Sequence, residues 1–239
     1  MALPKLNDQP KFNLKVPSTK EEMRFRPFLV KEEKVLLIAL ESKDEQAMMQ
    51  AIADTIESCA QSALDTDKLT SFDIEYLFTQ LRGKSVGETI KLNAVCDHCQ
   101  GETEYSVHVD EIKMYGGTTS NVVKISDNIE LELQYPQFSR LKKEVTASGL
   151  DQADGAATAF AMIKACIKAV LTEEERIEME HEDPASVDEF VESMSSEQFS
   201  KISAFVEDVP KMKHTMNWKC EPCGTENTKE LSGMQAFFS

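Results

Sequence analysis

The sequence predicts an α+β protein. It combines a pair of short antiparallel knuckle hairpins, a mainly helical region before them, and a mainly helical insertion with its own β-hairpin between them. Three observations lead there. Two C-x-x-C pairs, Cys96-Asp97-His98-Cys99 and Cys220-Glu221-Pro222-Cys223, each sit between strand-like runs. Apolar residues recur at three- and four-residue steps both before the first pair and between the pairs, which is the helical period. Val123-Lys124-Ile125 and Ile129-Glu130-Leu131-Glu132-Leu133 flank Ser126-Asp127-Asn128, a β-hairpin signal.

The cysteine pairs carry the architecture. Lys91–Val95 leads into the first, and Thr103–Val107 leads out after Gly101. Thr215–Lys219 leads into the second, and the tail to Phe238 follows Gly224. Two residues between cysteines let both sulfurs point at one ion, and two such turns face to face supply four thiolates at tetrahedral geometry. Cys96, Cys99, Cys220 and Cys223 are therefore the candidate ligands of one structural Zn²⁺. The pairs stand 120 residues apart, against roughly 15–20 in a compact zinc ribbon. The intervening chain must then be an insertion whose ends return to one place. Closure entropy grows only logarithmically with loop length, so this is tolerable. Two unrelated thiol turns or disulfides, or a redox pair, are the competing readings. A redox C-x-x-C needs a helix starting at its first cysteine to lower the thiol pKa, and these flanks read as strands.

The elements follow in order. Residues 1–20 form an extended arm punctuated by Pro4, Pro10 and Pro17, with Phe12, Leu14 and Val16 alternating at strand period. It pairs either with a neighbouring subunit or as an edge strand of its own domain. Residues 21–90 form the mainly helical region. Lys31–Lys34 is a charged turn or helical start, and Val35–Leu40 is a short, buried apolar run that periodicity leaves as helix or strand. Ser42 with Glu45 makes a capping box for a helix with Met49, Ile52, Ile56, Cys59 and Ala63 on one stripe. Thr70 and Asp73 open another helix, faced by Ile74, Leu77, Phe78 and Leu81 and stopped by Gly83. Gly83-Lys84-Ser85 lacks the upstream glycine and strand of a phosphate loop.

Residues 91–110 and 211–239 form the knuckle module, and 111–210 the insertion. Within the insertion, Phe138, Leu141 and Val145 mark a short helix, and Gly149 and Gly155 bracket a loop. Phe160, Ile163, Ile167 and Val170 mark a second helix, with Cys166 beside the stripe. Ser186 with Glu189 caps a third, and Ser195 with Gln198 a fourth that carries Phe199, Ile202, Phe205 and Val209 before Pro210. Cys59 and Cys166 read as small packed hydrophobes.

Composition narrows the function. The net charge is −16, from 42 acids and 26 bases, which argues against nucleic acid as a partner. Residues 1–34 carry eight bases against five acids, and residues 172–198 carry eleven acids and one base. The asymmetry suits contacts with other proteins, copies of itself included, or simply a solvated surface. No apolar run has the length of a membrane span, and the N-terminus lacks a signal-peptide core. A reducing cytoplasm suits thiolate ligands. A four-cysteine site leaves no open position for catalysis. His98, His108 and His214 read as non-ligands, and no H-E-x-x-H or dinucleotide fingerprint occurs. The expectation is a non-enzyme without a small-molecule substrate.

The stretch Met23-Arg24-Phe25-Arg26-Pro27-Phe28-Leu29-Val30-Lys31-Glu32-Glu33-Lys34 is followed by helices to Leu81-Arg82-Gly83. The Ser85-Val86-Gly87 turn then leads into C-x-x-C. This order resembles the baseplate hub protein family of T-even-like, contractile-tailed bacteriophages, most closely over residues 20–110. The resemblance implies a late virion protein of the tail baseplate, made in the host cytoplasm. Its role would be structural or in assembly, its partners other baseplate and hub proteins. A zinc-ribbon adaptor of a cellular transcription or translation complex is the alternative; such adaptors present a basic ribbon face, whereas charges around these knuckles are mixed.

Overall fold

The computed structural model describes residues 9–42, 44–117, 120–147 and 155–232, without the side chains of 45, 144–147 and 155–158. In order these form β1 (Phe12–Lys15), β2 (Glu22–Phe25), α1 (Val30–Ser42), α2 (Glu45–Cys59), α3 (Ser71–Val86), β3 (Thr89–Val95), β4 (Glu102–His108) and β5 (Lys113–Tyr115). There follow β6 (Val122–Lys124), β7 (Ile129–Leu133), α4 (Phe138–Ala147), α5 (Gly155–Cys166), β8 (Ile167–Thr172) and β9 (Arg176–Glu178). The last elements are α6 (Pro184–Glu192), α7 (Ser196–Glu207), β10 (Lys211–Lys219) and β11 (Glu226–Ser232). The fold is thus mixed helix and sheet, in keeping with the α+β expectation.

The chain divides into two compact units. The first takes the chain up to Thr66, Phe72–Tyr115, and the chain from Lys211 onward; the second takes Asp67–Ser71 and Gly116–Pro210. In the first unit β1 pairs antiparallel with β2, so residues 12–15 form an edge hairpin of their own unit. Leu14 and Val16 are buried, and both the amide and the hydroxyl of Ser18 donate to Asp73, at 2.8 and 2.6 Å. The part of the arm before Gln9 lies outside the described residues.

The Arg-Phe-Arg-Pro stretch acquires a physical role here. Phe25 is fully buried. The Arg26 guanidinium donates to Glu32 Oε1 at 2.9 Å and to the carbonyls of Pro27 and Ser58. Glu32 Oε2 accepts the Leu29 amide at 2.8 Å, capping the first turn of α1. Burial opposes the Glu32 charge, but the bonds from Arg26, Leu29 and Lys31 outweigh it and hold the carboxyl below its usual range.

Several local expectations need correcting. Val35–Leu40 lies within α1 and is not buried: only its Ala39 is, while Val35, Leu37, Ile38 and Leu40 face solvent. The Ser42 hydroxyl donates to the Ala39 carbonyl at the end of α1, and Asp44 caps α2 by accepting the amides of Gln46 and Ala47. A carboxylate is a strong acceptor at a helix start, and Asp44 stands in the flanking position, Ser42 inside the preceding helix. α3 passes straight through Gly83; a Cβ there would stand 3.1 Å from Val109 Cγ2, so close packing explains this glycine. α6 is capped by Asp183, with Pro184 in its first turn, in place of Ser186. The box of Ser195 and Gln198 is present on α7, with both reciprocal bonds.

In the second unit β6, β7, β8 and β9 form one antiparallel sheet in that order. The hairpin around Ser126-Asp127-Asn128 is its first pair, with Val123 opposite Leu131. The stripe Phe160–Ile163–Ile167–Val170 has the spacing of one helix, but α5 ends at Cys166 and Ile167 opens β8. Ile167, Ala169 and Val170 are buried, and β8 is paired on both sides. A doubly paired, β-branched run loses its alternation and mimics helical spacing. Val145 falls among the undescribed side chains, and Gly149 outside the described residues.

Candidate metal centre

The first unit brings all four C-x-x-C cysteines together. β3 and β4 form a hairpin whose tip holds Cys96 and Cys99, and β10 and β11 form a second whose tip holds Cys220 and Cys223. β5 pairs with the start of β10, aligning Tyr115 with Lys211, so the chain leaves and re-enters this unit at neighbouring positions. Beneath the hairpins lies one core that includes Ile90, Leu92, Val107, Met212, Met216 and Trp218. Alternation produces it: the inward residues of β3 are Ile90, Leu92 and Ala94, while Lys91 and Asn93 face out.

The two tips repeat each other bond for bond. Cys96 N–H donates to the Gly101 carbonyl and Cys220 N–H to that of Thr225. The Gln100 amide donates to the Cys96 carbonyl, and the Gly224 amide to that of Cys220. Gln100 and Gly224 both have positive φ, 58° and 74°. Val95 lies opposite Glu102 as Lys219 lies opposite Glu226. The hairpins also bridge reciprocally. Asp97 N–H donates to Asn227 Oδ1 at 3.3 Å, and Glu221 N–H donates to Thr103 Oγ1 at 3.1 Å. In each case the amide just after a first cysteine is met by the side chain seven places beyond the other hairpin's first cysteine. Thr103 and Asn227 are among the few buried polar residues.

The sulfurs are spaced for a shared ion. Cys96 Sγ lies 3.8 Å from Cys223 Sγ, Cys99 Sγ lies 3.6 Å from Cys220 Sγ, and all four fall within 4.8 Å of one another. Tetrahedral thiolates about 2.3 Å from a central ion stand about 3.8 Å apart. A disulfide needs about 2 Å, and all six cysteines are free thiols. Each pair contributes one buried and one exposed member: Cys96 and Cys220 are buried, Cys99 and Cys223 exposed. Local dipoles favour thiolate at two positions. Amide hydrogen bonds, first that of Cys99, lower the Cys96 thiol. The hydroxyl of Thr225, 3.3 Å away, and then its amide bring Cys223 down to about 5. Burial first, then the crowding of neighbouring sulfurs, pushes Cys220 up to about 12. Four like charges this close oppose one another, and a divalent cation at their centre reverses that balance. Soft thiolate donors of this kind suit zinc, cuprous or iron ions.

The remaining candidates are elsewhere. His98 lies on the exposed turn and outside the cluster. His214 Nε2 is 3.1 Å from the Tyr105 hydroxyl, and His108 lies near Glu88 and Asp110. Burial pushes the Cys59 and Cys166 thiols up to about 11 and about 12, consistent with packing roles. Gly83-Lys84-Ser85-Val86-Gly87 formally matches G-x-S-x-G, but a nucleophile elbow needs a strand-to-helix turn. Here Ser85 sits inside α3; its hydroxyl donates to the Leu81 carbonyl and accepts the Phe28 amide. Thr103, Thr225 and Asn227 were not anticipated. The only signal for them was that the two hairpins can be aligned on their cysteines.

A family model described as T4 bacteriophage base plate protein matches residues 9–239 of the chain. No curated protein and no solved structure matches it. Among the described residues no helix is long and apolar enough to cross a membrane.

Proposed function

The chain belongs to the T4 bacteriophage base plate protein family, and from that premise we propose that it is a non-catalytic building or assembly component of the baseplate hub. In this reading a Zn²⁺ held by Cys96, Cys99, Cys220 and Cys223 clamps the two hairpins into a zinc-ribbon-like module. The observation that carries the metal assignment is the sulfur spacing of 3.6 and 3.8 Å between cysteines far apart in sequence. Zinc is preferred over the other soft ions because its closed four-thiolate sites are structural and redox-inert.

The clamp has a mechanical purpose in this account. An ion bound only by the folded state adds its binding free energy to folding. Thr103 and Asn227 align the hairpins so that each offers its sulfurs to the same point, and Thr225 keeps Cys223 ready as thiolate. A rigid module of this kind transmits load in an assembly without any active site. The partners are other baseplate and hub proteins, the site of action is the virion tail, and synthesis takes place in the host cytoplasm.

Two measurements test this. Elemental analysis of native protein should find one zinc per chain, and its absence removes the metal assignment. Gradient-purified virions, or their isolated baseplates and assembly intermediates, should contain the protein. Its absence from all three removes the hub role while leaving the metal question open.

A further inference from the structure

Helix α1 turns a row of large apolar side chains to solvent. Val30 is 79% exposed, Ile38 57% and Leu37 54%, with Val35 and Leu40 close to half exposed. Patches of this kind on a protein surface mark interaction sites. Ala39 and Glu32 are buried on the opposite side of the helix. Along the exposed side Val30, Lys34, Leu37 and Glu41 follow one another at steps of four, three and four, which places them on a single line, with Ile38 beside it. Lys34 and Glu41 are both exposed.

The two charges decide what fits this face. They are seven residues apart, beyond the reach of a helical ion pair. Lys34 and Glu41 thus stand in opposite halves of the line, with the exposed Glu33 on the flank away from Ile38. An antiparallel copy of the same helix presents the reverse order. With 1.5 Å of rise per residue, a two-fold axis level with the midpoint of Leu37 and Ile38 sets Lys34 level with Glu41. The same axis sets Leu37 level with Ile38. Every pairing occurs twice, as a closed isologous contact demands. A parallel copy would set Lys34 against Lys34 and Glu41 against Glu41.

We propose that α1 is a self-association surface, pairing antiparallel with α1 of a second copy through the Val30–Lys34–Leu37–Glu41 line. The helix has 13 residues, so the contact is short, near the lower limit for a specific interface of about 1,000 Å². It forms a weak dimer in dilute solution and is reinforced where copies are held together.

The test is sedimentation of the full-length protein, under reducing conditions and at low ionic strength, over a wide concentration range. Wild type should show a concentration-dependent dimer. Lys34→Glu sets like charges together and should weaken dimerisation at least about tenfold, equivalent to about 1.4 kcal/mol. Lys34→Glu combined with Glu41→Lys should restore it, because self-pairing re-creates both ion pairs. Leu37→Asp should give monomer with an unchanged circular dichroism spectrum. A monomeric wild type, an indifferent Lys34→Glu or a failed restoration overturns the proposal. A monomeric wild type whose Leu37→Asp variant is excluded from assembled baseplates also overturns it, and assigns the face to a different baseplate subunit.

Discussion

Glu75 offers a test of how the first unit is held together. It lies on α3, is 7% exposed, and accepts the backbone amide of Met212 at the start of β10, at 3.2 Å. Its other oxygen, Oε1, is buried without a hydrogen-bond partner. Burial raises the carboxyl to about 7 from an ordinary 4.5, against smaller opposing effects of the Met212 amide and Lys211. A raised acid pKa means that the folded state binds the proton more tightly than the unfolded one. The stability of the protonated form is therefore fully present below about pH 4.5 and is lost as pH rises through about 7. A shift of about 2.5 units at 1.36 kcal/mol each makes the loss about 3 kcal/mol by pH 8. Glu75→Gln keeps an acceptor for Met212 and removes the titration. The variant should match wild type near pH 4.5 and exceed it by up to about 3 kcal/mol at pH 8. Urea unfolding of both proteins across this range, followed by tryptophan fluorescence of Trp218 in the same core, reads the difference directly. Taking the difference cancels the acid sensitivity of the thiolates, which the two proteins share. A pH-independent difference, or a variant less stable at pH 8, would refute the account of Glu75 as a buried carboxyl held against its charge.

Other consequences follow at the cysteine tips and at α1. Cys96→Ser should leave an incomplete ligand set and lower the melting temperature sharply, with zinc content falling in elemental analysis; an unchanged melting temperature would count against the clamp. Gly101→Ala should cost about 1–3 kcal/mol by overpacking, because the new Cβ would stand 2.8 Å from Pro222 Cγ and 3.1 Å from Cys99 Sγ. Pro222→Ala in the same chain should recover part of that loss in thermal melts. Gln100→Gly should stabilise by about 1 kcal/mol, since Gln100 holds the left-handed conformation that its counterpart Gly224 adopts freely. Arg26→Met should cost about 1.5–3 kcal/mol, the loss of a charge-assisted bond to the buried Glu32 carboxylate, which keeps the Leu29 amide and Lys31. Replacing Glu32 by Gln in that background should return part of it, and purely additive losses in denaturant melts would show that the pair is not coupled.

Much of the local structure was legible because its cause is local. The Ser195 cap, the hairpin at Ser126–Asn128 and the strand alternation around both cysteine pairs each depend on residues a few places apart. Local signals mislead where a neighbour distant in sequence outweighs them. Gly83 looks like a helix stop, yet Val109 packs against it and the helix continues. Ile167 and Val170 carry helical spacing, yet pairing with β7 and β9 makes them strand. The apolar run of α1 looks like core, yet Val35, Leu37, Ile38 and Leu40 lie open.

The sequence by itself determined the donor chemistry: two C-x-x-C turns between strands, with no other cluster of soft ligands. Only the tertiary structure decided that the sulfurs of both turns meet at one point, because β5 and β10 return the chain to the place it left. It also decided that Thr103 and Asn227 lock each tip to the other. Intrinsic preferences act over a few residues, whereas the orientation of one hairpin against another depends on packing that no short window of sequence contains.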